Sequence, residues 1–193
     1  MKKVLLLGDS IRMGYDSIVK EMLEGEALVF YDDVDNGRYA SYTYGQMKDL
    51  YEKFGPFDVV HFNNGYWDMN REENSEACEP LPVYLQDLKN IVEYVRSQGG
   101  IPVFASTVPI YDEGKSLDNT GTNCALNYKN EWVINYNMAA RALMNELKVE
   151  YNDLYELMLK GDMYYKCYDF LHLTHEGYTI CAKQIVDIIK KLM

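Results

Sequence analysis

Met1-Lys2-Lys3-Val4-Leu5-Leu6-Leu7-Gly8-Asp9-Ser10 opens the chain, and its reading decides the fold. The apolar run Val4 to Leu7 stops abruptly at a glycine, an acid and a hydroxyl. It is too short for the apolar stretch of a secretion signal, and no small-residue cleavage site follows, so we read it as a buried first strand. On that reading the protein is expected to be cytoplasmic, or secreted or periplasmic if a leader has been trimmed away. Ser10 then lies at a strand-to-helix turn.

Further along, short apolar runs alternate with longer amphipathic stretches. Ala27 to Tyr31, Val59 to Phe62, Ile101 to Ala105 and Val149 to Tyr151 read as further strands. Tyr15 to Leu23, Tyr44 to Phe54, Val83 to Ser97, Glu131 to Leu147 and His175 to Leu192 carry helical spacing, clearest in the last, where Tyr178, Cys181, Ile185, Ile188, Ile189 and Leu192 recur on one face. Strand and helix in strict alternation predict a parallel sheet, because parallel neighbours need a crossover and right-handed crossovers set helices on both faces. The expected class is α/β, a three-layer α/β/α sandwich around a central, mostly parallel five-stranded sheet. The whole chain, residues 1–193, reads as one domain.

The chain has 193 residues and a formal net charge of -11. That charge argues against nucleic acid and anionic membrane as partners, since phosphate surfaces reward a basic patch and none is visible. No apolar run approaches the roughly 18–20 residues that span a bilayer, so the protein is expected to be soluble. Cys78, Cys124, Cys167 and Cys181 have no paired spacing, and no histidine pair has metal-ligand spacing, so no metal site is expected. Glycine patterns for phosphate or dinucleotide are absent as well, and no cofactor is expected.

Ligands of such sheets bind outside the carboxyl ends of the strands. The residues directly after the apolar runs are unusually polar: Gly8-Asp9-Ser10, Asp32 to Ser41, Asn63-Asn64-Gly65-Tyr66-Trp67-Asp68, and Ser106-Thr107 with Pro109. The stretch Tyr111 to Asn127 is a long Gly-, Asn-, Asp- and Ser-rich loop on the same rim, a length usually associated with function or mobility.

A serine at a helix N-terminus meets free N–H groups and the helix dipole, which stabilise developing negative charge. Taken alone, Ser10 reads as an ordinary N-cap. Asp169 and His172, three positions apart before the last helix, change that reading. A nucleophilic serine needs an imidazole to take its proton, and the imidazole needs a carboxylate to fix its tautomer.

Gly8-Asp9-Ser10 after an N-terminal strand, with Asp169-Phe170-Leu171-His172-Leu173-Thr174-His175-Glu176-Gly177-Tyr178 near the other end, resembles the SGNH (GDSL) hydrolases over nearly the whole chain. The resemblance implies their flavodoxin-like fold, with Ser10 as nucleophile, His172 as general base and Asp169 as its orienting acid. The Asp169 interval selects His172 over His175, which begins the final helix.

The two middle blocks fit this family less well. Aligning Asn36 and Thr43 puts Ser41 where the family has the glycine whose N–H points at the oxyanion, with Gly37 out of register. Where the family reads Gly-x-Asn-Asp, this chain reads Gly65-Tyr66-Trp67-Asp68, so tryptophan replaces an asparagine donor. Asn63 or Asn64 could donate from just upstream, the Trp67 indole could donate, or the site could rely on the Ser10 and Ser41 amides; Asn64 is the expected donor. Asp9 and Arg12 beside the nucleophile are candidate substrate contacts, although Arg12 reads equally as half of a helix-surface salt bridge. His61, inside the third strand, reads as a core histidine.

The expected function is therefore a serine esterase, or acylhydrolase, acting on a small-molecule ester with a small acyl group, first among them acetyl on a carbohydrate. A thioesterase or lysophospholipase of the same class, and a non-catalytic binding module with a degenerate oxyanion hole, stay open as alternatives.

Overall fold

The computed structural model describes residues 1–71, 75–111, 128–161 and 169–193. Five strands, β1 (Lys2–Gly8), β2 (Ala27–Phe30), β3 (Val59–Asn63), β4 (Ile101–Ala105) and β5 (Glu150–Asn152), form one sheet in the order β2-β1-β3-β4-β5. Every pairing is parallel. Val4 to Leu7 and the paired Val59, Val60 and Phe62 are almost completely buried, because helices cover both faces of the sheet.

One face carries α1 (Ser10–Met22) and α7 (His175–Leu192), packed against each other, with α6 (Leu154–Leu159) beside α7. The other carries α2 (Ala40–Phe54), α4 (Leu81–Ser97) and α5 (Asn130–Leu147), with the single turn α3 (Tyr66–Met69) directly after β3. The sequence reading places the five strands and the five long helices, and leaves out α3 and α6.

Chain order reverses between β1 and β3, so connections leave those two strands toward opposite sides and open a crevice at their carboxyl ends. Ser10 follows β1 and Gly65 follows β3 at this point, with Gly8 in register with Asn63. The long stretch after Tyr111, Cys124 and Cys167 lie outside the described residues; Cys78 is exposed and Cys181 buried. No described helix is long and apolar enough to cross a membrane.

Candidate active site

The turn after β1 is built for close approach. Gly8 has φ 139°, and a Cβ there would overlap the Asn63 carbonyl and side chain on the neighbouring strand. Asp9, not Ser10, caps α1: its Oδ1 accepts from the Ile11 N–H at 2.9 Å. Ser10 is thus the first helical residue, and its hydroxyl is released from capping.

That hydroxyl meets His172 Nε2 at 2.7 Å. His172 Nδ1 lies 2.6 Å from Asp169 Oδ2, while Asp169 Oδ1 accepts from the N–H groups of Leu171 (3.1 Å) and His172 (2.9 Å). One carboxylate therefore holds both the local turn and the imidazole. This pairing assigns the ring proton to Nδ1 and aims the Nε2 lone pair at Ser10. Burial works against the Asp169 carboxylate, but the hydrogen bonds from His172 and Leu171 outweigh it and hold its pKa below the usual value. Between the two residues Phe170 is left-handed, with φ 66°, and its carbonyl accepts from the Tyr111 N–H at 3.0 Å while the two rings stack at 6.2 Å. His175 is exposed at the start of α7.

The β2–α2 connection lies across this turn. The Gly37 N–H donates to Gly8 O at 2.6 Å, and a Cβ on Gly37 would overlap Thr43 Oγ1 and the Gly8 carbonyl. Gly37, out of register in the family alignment, is thus the glycine that lets the two turns touch. Ser41 sits in the first turn of α2, where backbone N–H groups have no intrahelical acceptor, and its hydroxyl donates to Glu79 Oε1.

The third block corrects one expectation. Asn64 is completely buried, and its Nδ2 donates to Arg38 O at 3.1 Å and Thr43 Oγ1 at 2.8 Å, so its amide fastens the β2–α2 connection and has no N–H left for an oxyanion. Asn63 is 2% exposed and faces the β1–α1 turn: Nδ2 donates one hydrogen to Asp9 Oδ1 at 2.8 Å and Oδ1 accepts from the Tyr15 hydroxyl at 2.8 Å. Gly65 has φ 155° and packs on Thr107, where a Cβ would overlap the hydroxyl. Trp67 is half-buried and stands edge-on to Tyr39 at 5.6 Å, and its indole N–H donates to no group among the described residues.

Two proposed substrate contacts are scaffold instead. Asp9 is 1% exposed: its Oδ1 accepts from the Ile11 N–H and from Asn63 Nδ2, and its Oδ2 is buried without a hydrogen-bond partner among the described residues, so the carboxyl group presents nothing to a ligand. The Arg12 side chain is 1% exposed, pairs with Asp16 Oδ2 at 2.7 Å and donates to the Asp32 and Asp35 carbonyls, so it clamps the strand-end loop from beneath and presents nothing to a ligand. The ion pair is buried, not on the helix surface.

His61 is a core residue, held by Asn152 Nδ2 at 3.0 Å and pushed down to about 3 by burial, hence neutral. Ser106 and Thr107 are buried and bind Asp153 and Asn64 O, with no group left for chemistry. Among the described residues no three His, Cys, Asp or Glu side chains are grouped to hold a metal ion. The sequence reading missed the roles of Thr43 and Glu79; a threonine six residues after a glycine on a polar strand-end loop was the available signal for the first, and none marked the second.

A family model described as GDSL-like lipase/acylhydrolase matches residues 6–180. No curated protein matches the chain in sequence. Solved structures with the same fold include a carbohydrate acetylesterase family member from Sinorhizobium meliloti, at 17% identity and TM-score 0.75 over 100% of this chain and 99% of that one. A lipase/acylhydrolase from Enterococcus faecalis is similar at 18% identity and TM-score 0.75, over 99% and 96%. An acetyl xylan esterase is similar at 17% and 0.73, over 97% and 99%.

Proposed function

The chain belongs to the GDSL-like lipase/acylhydrolase family, a family of ester hydrolases, and from that premise we propose that it is a serine esterase releasing a small acyl group, acetyl foremost, from a carbohydrate ester. The observation that carries this reading is the Ser10 Oγ to His172 Nε2 distance of 2.7 Å, with the far ring nitrogen 2.6 Å from Asp169.

In this reading Ser10 Oγ attacks the ester carbonyl carbon as its proton passes to His172 Nε2, and Asp169 stabilises the imidazolium through Nδ1–H. The oxyanion takes hydrogen bonds from the backbone N–H groups of Ser10 and Ser41 and from the Trp67 indole. Collapse expels the alcohol, which carries off the His172 proton. Water, giving one proton to His172, then attacks the acyl-enzyme, and collapse breaks the bond to Ser10 Oγ, which takes that proton back from His172 as the carboxylic acid leaves.

The sugar alcohol is supported by aromatic side chains on the strand-end rim, the edge-on Tyr39–Trp67 pair beyond β2 and β3 and the Tyr111–Phe170 stack next to Asp169. The net charge of -11 disfavours an anionic lipid interface. The neighbours named for carbohydrate and xylan acetyl esters share the fold, and their substrates enter here only as a direction for the test.

The test combines intact-mass labelling by a small fluorophosphonate with acetate release from acetylated xylo-oligosaccharides, compared with 4-nitrophenyl acetate, butyrate and octanoate. One adduct that disappears in Ser10→Ala, with acetyl esters turned over fastest, is the expected result. Asp169→Asn should keep the turn but misorient the ring proton and lower kcat by roughly 1,000- to 10,000-fold. A preference for octanoate would instead favour a thioesterase or lysophospholipase, and absence of both label and turnover would leave a binding module.

A further inference from the structure

Asp68 and Glu79 form an acid pair under the rim, next to Trp67 and Ser41. Asp68 is completely buried, and its Oδ1 accepts from the Ala40 N–H at 2.8 Å. Glu79 Oε1 accepts from the Ser41 hydroxyl. The oxygens left over, Asp68 Oδ2 and Glu79 Oε2, are both buried and have no ordinary donor, although the two carboxyl groups lie within hydrogen-bonding reach of each other. Two carboxylates so placed repel each other, and a single proton between them removes that repulsion while giving one oxygen a donor and the other an acceptor's role. The backbone holds them together as well, since the Glu79 N–H donates to Asp68 O at 2.9 Å and the Tyr136 hydroxyl to Glu79 O at 2.8 Å.

We propose that Asp68 and Glu79 share one proton and act as a positioning pair, tying the first turn of α2 to α3 so that the Ser41 N–H and the Trp67 indole are held at the oxyanion site. Its catalytic consequence rests on the esterase reading above; the shared proton itself does not. Hydroxide removes that proton as water, leaves two buried carboxylates, and releases the α2 turn from α3.

The surroundings favour the protonated pair. Burial is the leading cause that raises Asp68 well above the usual carboxylate range, and the hydrogen bond from the Ala40 N–H opposes it only in part. Facing the two acids are Asp9 from the β1–α1 turn, Tyr84 and Asp87 on α4, Tyr136 on α5 and Tyr128, with Arg71 and Cys78 facing Tyr136. Arg71 lies over the Trp132 ring at 4.2 Å, and among the described residues no cation pairs with either acid.

The experiment measures kcat and KM for 4-nitrophenyl acetate and the thermal midpoint across neutral to alkaline pH, on wild type, Glu79→Gln and Glu79→Ala. The amide introduced by Glu79→Gln is a permanent N–H donor to Asp68, so this variant should lose the alkaline fall in kcat that wild type shows at constant KM. Glu79→Ala should lower kcat at every pH. The wild-type midpoint should also fall with pH by one proton's slope more than that of Glu79→Gln. Superimposable kcat and midpoint profiles for wild type and Glu79→Gln would overturn the proposal. A protein that turns over no ester sinks the esterase reading, and the midpoint profiles then decide the shared proton alone.

Discussion

Gly14 on α1 faces the ring of Tyr178 on α7 so closely that a Cβ at position 14 would overlap the ring atoms. This is the contact that lets the two helices, one beginning with Ser10 and the other led in by His172, lie side by side, so triad geometry depends on a glycine one turn past the nucleophile. Gly14→Ala gains about 1 kcal/mol of helix propensity but must displace a buried ring, at an overpacking cost of about 1–3 kcal/mol. The expected result is a lower thermal midpoint together with slower fluorophosphonate labelling of Ser10. Adding Tyr178→Leu should restore part of both, which a defect confined to α1 would not allow.

Asn64 and Trp67 separate scaffold from oxyanion donor. Asn64→Ala leaves Thr43 Oγ1 and the Arg38 carbonyl without their donor and should cost about 1–3 kcal/mol of stability. Trp67→Phe keeps the edge-on contact with Tyr39 but removes the N–H, and should lower kcat roughly 100-fold at little change in KM. Denaturant unfolding and steady-state kinetics on both variants check this. An Asn64 variant that is fully stable but slow would return the donor role to Asn64.

Arg12 is a prediction about stability alone. Arg12→Met strands the Asp16 carboxylate and two loop carbonyls in the interior and should destabilise by about 3–5 kcal/mol. Where the variant is still folded, KM for a neutral ester should stay close to wild type. A large KM increase with unchanged urea unfolding would put Arg12 back at the substrate.

The sequence shows the sheet and the ends of the triad because both are written locally. Runs such as Val4 to Leu7 are buried on both faces and need no partner to be read, and the spacing of Asp169 and His172 is a property of one turn. The α1 start is harder to read, since the buried Arg12 and the closely packed Gly14 break the apolar pattern for reasons that lie on other elements: the strand-end carbonyls and Tyr178. The two short helices, α3 and α6, are below the length at which periodicity speaks. The fate of Asn64 is set by Thr43, 21 residues away, and no local pattern records that.

Asp9 makes the remaining prediction, on pH. Burial raises its pKa, and the hydrogen bonds from the Ile11 N–H and Asn63 offset only part of that. The folded protein therefore keeps this proton where the unfolded chain has already released it. Stability should fall as pH climbs from about 3.9 toward the folded value, at up to about 1.4 kcal/mol per pH unit. Asp169, whose pKa is lowered, acts in the opposite window: its contribution is present above the unfolded value and is lost only as pH falls through the folded one. Asp16 is raised as well, with burial its leading cause, and keeps its own slope in any Asp9 variant. Urea unfolding of wild type and Asp9→Asn at a series of pH values isolates the Asp9 contribution, because asparagine binds no proton. The Asn variant should show the shallower decline, while equal slopes would mean that Asp9 is ionised in the folded state and that Asn63 and the α1 N-terminus stabilise its charge.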